Sequence, residues 1–171
     1  MLSAQGKWKE AINPANLLLD NRTYDQEIIL SVHTLVDALR LTDPEHAIVL
    51  SEKMVPGLFR YAEGKVQRPE PELHVHAAEM LVYALEPAVI YRQTANLDRA
   101  EAFITSFMAR FNSSPLASNK TVKDIVDAHL FRTRLLGLAA PNVEGQEYID
   151  MPKMSLADLR GKVVMLDFFA H

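Results

Sequence analysis

The sequence predicts a mainly helical protein: an antiparallel helical bundle or α-hairpin stack of about five helices, followed by the first β elements of an incomplete α/β domain. Three observations predict it. Apolar residues between positions 24 and 136 recur at three- and four-residue spacings, the period of a helix that turns one face to a core. The stripes are separated by short polar loops, which favour antiparallel neighbours. After Gly137 the pattern changes to turn-rich sequence and one strand-like apolar run. This divides the chain into a helical domain, 1–136, and a C-terminal segment, 137–171.

Residues 1–22 are mixed. Trp8, Ile12, Leu17, Leu18 and Leu19 suit a short helix around Pro14, or an arm packed on the rest. From Tyr24 onward, Ile28, Leu35, Val36 and Leu39 form a stripe that Ile29 and Val32 widen. Thr42-Asp43-Pro44-Glu45 reads as a helix start, with Thr42 or Asp43 accepting the free first-turn N–H groups and Pro44 at the first helical position. The stripe that follows is Ile48, Val49, Met54, Val55 and Phe59. Pro56 is expected to kink or end that helix, because it has no N–H and crowds the preceding turn. Gly64 is expected to stop it. Residues 67–71 hold two prolines and read as a loop.

A third helix is expected over 72–93, carrying Leu73, His76, Met80, Tyr83 and Leu85, with Pro87 interrupting it. Asn96-Leu97-Asp98 starts a fourth through Ala100, Phe103, Ile104, Phe107, Met108 and Phe111, ended by Asn112-Ser113-Ser114-Pro115. Thr121 is placed to cap the fifth, over Val122, Ile125, Val126, His129, Leu130 and Leu135, and Gly137 closes it. The texture is that of helical-repeat proteins, without self-similarity at the tetratricopeptide period.

Composition bounds the function. The chain has 171 residues, 49% of them hydrophobic and 23% charged, as in soluble globular proteins. Lys and Arg total 18 against 22 Asp and Glu, a net charge of −4, which argues against a nucleic-acid binder. No apolar run is long enough to span a bilayer. The first ten residues are polar and lack the apolar core of a signal peptide. There is no cysteine, so disulfides, thiolate metal sites and cysteine nucleophiles are excluded within these residues. That absence suits a cytosolic and an exported chain equally.

The tail says more. Ala140-Pro141-Asn142-Val143-Glu144-Gly145 is turn-rich, and Ser155-Leu156-Ala157-Asp158-Leu159-Arg160-Gly161 reads as one turn of helix with a glycine stop. Val163-Val164-Met165-Leu166-Asp167-Phe168-Phe169-Ala170 is apolar on both alternating faces except at Asp167, the pattern of a central strand covered by helices on each side. Such a strand needs sheet partners, so the sequence reads as stopping at His171 in mid-domain.

The opening Gly137-Leu138-Ala139-Ala140-Pro141, the turn from Ser155 to Gly161 and the run from Lys162 to His171 together resemble the start of a redoxin domain. The family is the thioredoxin-like thiol-disulfide oxidoreductases of the TlpA type, within the wider peroxiredoxin-containing superfamily. The departures are Asn142-Val143 after the proline, Phe169 where Trp is common, and the missing cysteines. The resemblance implies a thioredoxin-like α/β fold and a Cys-x-x-Cys motif just beyond His171. The attacking cysteine would sit at a helix N-terminus that stabilises its thiolate. It implies protein thiols or disulfides as partners, an extracytoplasmic, periplasmic setting and no cofactor; the helical domain would position partners or set oligomeric state. A peroxiredoxin with a single peroxidatic cysteine is the near variant. Asp167 matches the buried acid of the thioredoxin central strand, whose desolvated carboxyl accepts a proton from the resolving thiol; the alternative is a solvated side chain. The fragment itself, lacking cysteine, is expected to be inactive. A reading of another class is a non-catalytic helical interaction module.

Other constellations are weaker. His74-Val75-His76 with Glu70, Glu72 and Glu79 suggests a metal, but residues two apart on a helix face different ways, so a polar helix start fits better. His33, Asp37, Asp127 and His129 suggest an acid–base site, but no spacing brings them together. Phe103, Phe107 and Phe111 recur every four residues and fit core packing better than partner docking. Arg132 and Arg134 mark a helix C-terminus rather than a nucleic-acid patch.

Overall fold

The computed structural model describes residues 7–20, 25–139 and 155–162. Among them are seven α-helices: α1 (Trp8–Asp20), α2 (Gln26–Leu39), α3 (Pro44–Val66), α4 (Pro71–Tyr83), α5 (Glu86–Gln93), α6 (Leu97–Asn112) and α7 (Lys120–Leu135). A 3-10 turn, Pro115–Ser118, joins α6 to α7. Contacts divide the chain into two units, Met1–Gly137 and Leu138–His171.

The first unit is mainly helical and built around α3. This 23-residue helix packs against α1, α2, α4 and α5. Helix α7 packs on α4, and α6 on α5. Leu39, Leu50, Leu58, Phe59, Leu81, Ile90, Ile104 and Phe111 are fully buried, so one continuous core runs through the helices. Burying each such side chain contributes about 1.5–3 kcal/mol. Phe107 and Phe111 belong to this core, with Phe59 and Phe107 ring centroids 5.2 Å apart. The phenylalanine repeat of α6 is therefore packing.

Where the elements depart from expectation, the causes are local. The expected third helix is two helices, so residues 24–136 hold six rather than five. Pro87 sits in the first turn of α5, and its ring excludes the carbonyl four residues back, that of Tyr83, where α4 ends. Pro56 breaks nothing: α3 runs through it to Val66. A mid-helix proline costs about 3 kcal/mol, and the burial of Met54, Leu58 and Phe59 on both sides of it offsets that cost. Gly64 does not end α3 either, since the helix continues through two more residues.

Capping also differs in detail. Asp25 accepts from the Ile28 N–H at 2.8 Å and starts α2. At α3 neither Thr42 nor Asp43 caps: the Thr42 hydroxyl donates back to the Ala38 carbonyl at 3.2 Å, and Asp43 Oδ1 lies 2.9 Å from His46 Nδ1. Asn119, not Thr121, caps α7, accepting from the Val122 N–H at 3.2 Å. The residue range around Pro14 is helical throughout, and Lys53 of α3 ties it down, donating to Asn16 Oδ1 at 2.7 Å.

The described part of the second unit contains a 3-10 turn, Leu156–Leu159. The Ser155 backbone N–H and its hydroxyl both donate to Asp158 Oδ2 at 2.8 Å, which holds the Asp158 carboxyl below its usual range. Gly161 then adopts φ +80°, a left-handed conformation that favours glycine. Residues 163–171, including Asp167 and the expected strand, lie outside the described residues.

Candidate functional site

Two titratable groups shifted by folding, His33 and Glu86, belong to one cluster at the end of α2 and the start of α5. His33 and Asp37 lie one helical turn apart on α2, with His33 Nδ1 3.8 Å from Asp37 Oδ2. Arg40, three residues further, is 3.4 Å from Asp37 Oδ1 and 3.5 Å from Glu86 Oε1. The Tyr83 ring, from the last turn of α4, lies against the imidazole with centroids 4.0 Å apart. Three helices thus contribute to one cluster.

Burial governs its electrostatics. Glu86 is 9% exposed, and desolvation pushes its carboxyl above the usual carboxylate range, reinforced by the charge of Asp37. Arg40 opposes that shift, and so does the position of Glu86 in the first turn of α5, where the helix dipole favours an anion. The Arg40 contact is a long one, 3.5 Å to Glu86 Oε1, which meets no hydrogen-bond geometry from the described residues. His33 is pushed below its ordinary value by burial, partly countered by Asp37. His33, Asp37, Arg40 and Glu86 make a polar cluster whose groups mainly hold one another. Its one link between α2 and α5 among the described residues is the Arg40–Glu86 pair.

The acid–base set weighed from sequence, and disfavoured there, is split. His33 and Asp37 are brought together, but Asp127 forms an ion pair with Lys123 on its own helix. His129 lies on α7, its imidazole lowered by burial and by Arg132. Glu86, Arg40 and Tyr83 were missed. Asp37 and Arg40 at a three-residue spacing were a readable pair, whereas nothing in the sequence joins Glu86 to α2.

The histidine–carboxylate set of α4 is also dispersed. The imidazole of His74 donates from Nε2 to the Arg68 carbonyl at 2.7 Å, and His76 Nδ1 faces Glu79 at 3.9 Å. Among the described residues, no group of three His, Asp or Glu side chains converges on a point where an ion would sit.

A second polar knot closes the unit. Arg92, 5% exposed in the last turn of α5, donates from one terminal nitrogen to the carbonyls of Arg134 at 2.8 Å and Leu136 at 3.0 Å. Its other terminal nitrogen pairs with Glu101 of α6, which also lies 3.6 Å from Arg134. The guanidinium thus satisfies carbonyls that the end of α7 leaves without helical partners. So Arg134 does mark a helix end, though the cation serving its carbonyls comes from another helix. No described helix is long and apolar enough to cross a membrane. Compared with known proteins, the chain matches no family model, no curated protein and no solved structure.

Proposed function

We propose that this chain is the N-terminal part of a thioredoxin-like thiol-disulfide oxidoreductase of the TlpA type, in which a helical unit precedes the redox domain. The observation that carries the reading is the sequence from Ser155 to His171, with its L-x-x-L-R-G-K turn leading into an apolar strand that holds Asp167. The tight turn over Leu156–Leu159 and the left-handed Gly161 support it, because they fit the helical turn and glycine stop of that sequence. The redox cysteines would follow His171. The first would attack a disulfide as a thiolate and the second would resolve the mixed disulfide, with Asp167 behind them as proton acceptor. A redox domain of this type is small, and the helical unit would present it to its protein partners.

The test is direct. The coding sequence should continue past His171 with Trp-Cys-x-x-Cys, and the protein so extended should reduce the disulfides of insulin while the 171-residue chain does not. A lone cysteine in a threonine-rich turn would make the protein a peroxiredoxin. A stop codon after His171 overturns the redox reading.

The second reading is a helical interaction module without catalysis. It draws on the outer face of α7, where Phe131 is 67% exposed and Leu135, one turn on, 41%. Side chains of that size left in water on a regular helix suit contact with another protein.

A further inference from the structure

Helix α1 is held less firmly than the helices it packs on. It buries Ile12, Ala15 and Leu19, against five residues in α2 and eight in α3. One of its three is alanine, whose burial removes little apolar area from water. Leu17 and Leu18 of the same helix are exposed, so much of its apolar surface takes no part in docking. Pro14 lies in its interior, where it has no N–H to give the Glu10 carbonyl and its ring crowds that oxygen. Helix α3 carries Pro56 in the same way, but Met54, Leu58 and Phe59 are buried on both sides of it. A 13-residue helix interrupted by proline has little stability of its own in water.

Lys53 of α3 ties α1 down, donating to Asn16 Oδ1 at 2.7 Å and to Asp20 Oδ1 at 3.2 Å. The Asp20 carboxylate is exposed, so its ion pair with Lys53 adds little to the hold. The main contacts of α1 are with α2 and α3, while α4, α5, α6 and α7 pack on α3 or on one another. Departure of α1 therefore leaves the main packing among α3–α7 in place. An element with few buried apolar contacts, attached at the edge of a larger core, is one that opens at lower free energy than the rest.

We propose that α1 is a latch, kept weak by Pro14, that releases from α2 and α3 as one unit while α2–α7 stay folded. Release bares the apolar surface that α1 covers on α2 and α3. It also brings Ile12 and Leu19 into water beside Leu17 and Leu18, so the open form is the adhesive one and the docked form conceals it. Every residue involved lies in the first unit, so the inference stands whether or not the redox reading does.

The experiment is native-state amide hydrogen exchange on the full 171-residue chain, followed by NMR at rising sub-denaturing urea. Residues 15–20 should exchange through one shared opening, about a hundredfold or more faster than the slowest amides of α3. Their rates should depend only weakly on urea, because opening α1 alone exposes little surface, whereas the α3 rates should climb steeply. Pro14→Ala, which restores the missing N–H, should slow the α1 opening about threefold or more. Leu130→Ala weakens the packing of α7 on α4 away from α1. It should speed exchange in α3 about tenfold or more and leave residues 15–20 unchanged, since it destabilises the closed and the unlatched states alike. Should that variant fail to fold, the urea slopes of the parent decide. Equal rates or a common urea slope in α1 and α3, rates graded along residues 15–20 as in simple fraying, an α1 opening indifferent to Pro14→Ala, or equal acceleration of both helices by Leu130→Ala would overturn the inference.

Discussion

Helix α5 is eight residues long and buries a charge near each end, and the two ends stabilise their charges differently. Both signs agree with the helix dipole, an acid in the first turn and a base in the last. Arg92 is met by two backbone carbonyls and Glu101, so its terminal nitrogens are spent on hydrogen bonds. Glu86 is met by Arg40 at 3.5 Å, and its Oε1 accepts no hydrogen bond from the described residues. A buried charge that also supplies missing backbone partners is a structural requirement. One that is merely balanced by an opposite charge is close to neutral.

The largest expected effect follows from the first end. Arg92→Leu should cost about 2 kcal/mol, because it removes the charged donor shared by the partly buried carbonyls of Arg134 and Leu136. Urea denaturation with an unchanged m-value would measure it, and a loss below about 1 kcal/mol would erase the contrast between the two ends. Glu101→Gln should cost less, about 1 kcal/mol, since that carboxylate is half exposed. If the double variant is no worse than Arg92→Leu alone, the coupling between the two is demonstrated.

At the other end, Glu86→Gln should change stability at pH 7 by less than about 1 kcal/mol, toward stabilisation if it shifts at all. The sign depends on pH. The folded carboxyl is raised above 4.5, so the folded state takes up its proton first and the parent gains stability as pH falls through the folded value. The variant's relative advantage should therefore shrink between pH 7 and pH 4. A variant losing well over 1 kcal/mol at pH 7 would show that Arg40 outweighs desolvation.

The smallest effect concerns the histidines. His33 and His129 are lowered from 6.5, so their contribution is complete above pH 6.5 and is lost as pH falls through the folded values. His33→Gln should flatten that decline, and His129→Gln should flatten it by a similar amount. Thermal melts at half-unit pH steps would separate the two.

The helices themselves were legible because their stripes are long and periodic: Ile29, Val32, Leu35, Val36 and Leu39 can face only one way on α2. Punctuation was harder to read. Pro56 and Pro87 look alike in sequence, yet the first lies within a helix gripped by four neighbours and the second at the head of a short one. Tertiary burial decides between them, and a local pattern does not contain it. The same holds for the polar clusters. Arg40 meets Glu86, and Arg92 meets Arg134, only after α2, α5 and α7 have been packed. Gly64 read as the stop of α3, and the helix continues two residues past it.

The Arg92 clamp bears on how the protein responds to force. The chain leaves the first unit through residues 134–137, where Arg92 grips two carbonyls and Gly137 turns left-handed at φ +75°. Tension on the C-terminal segment meets these bonds at the last turn of α7, before it reaches the body of the helix. A guanidinium anchored in the core thus acts as strain relief, so that tugging on the tail need not unwind the helix to which it is attached.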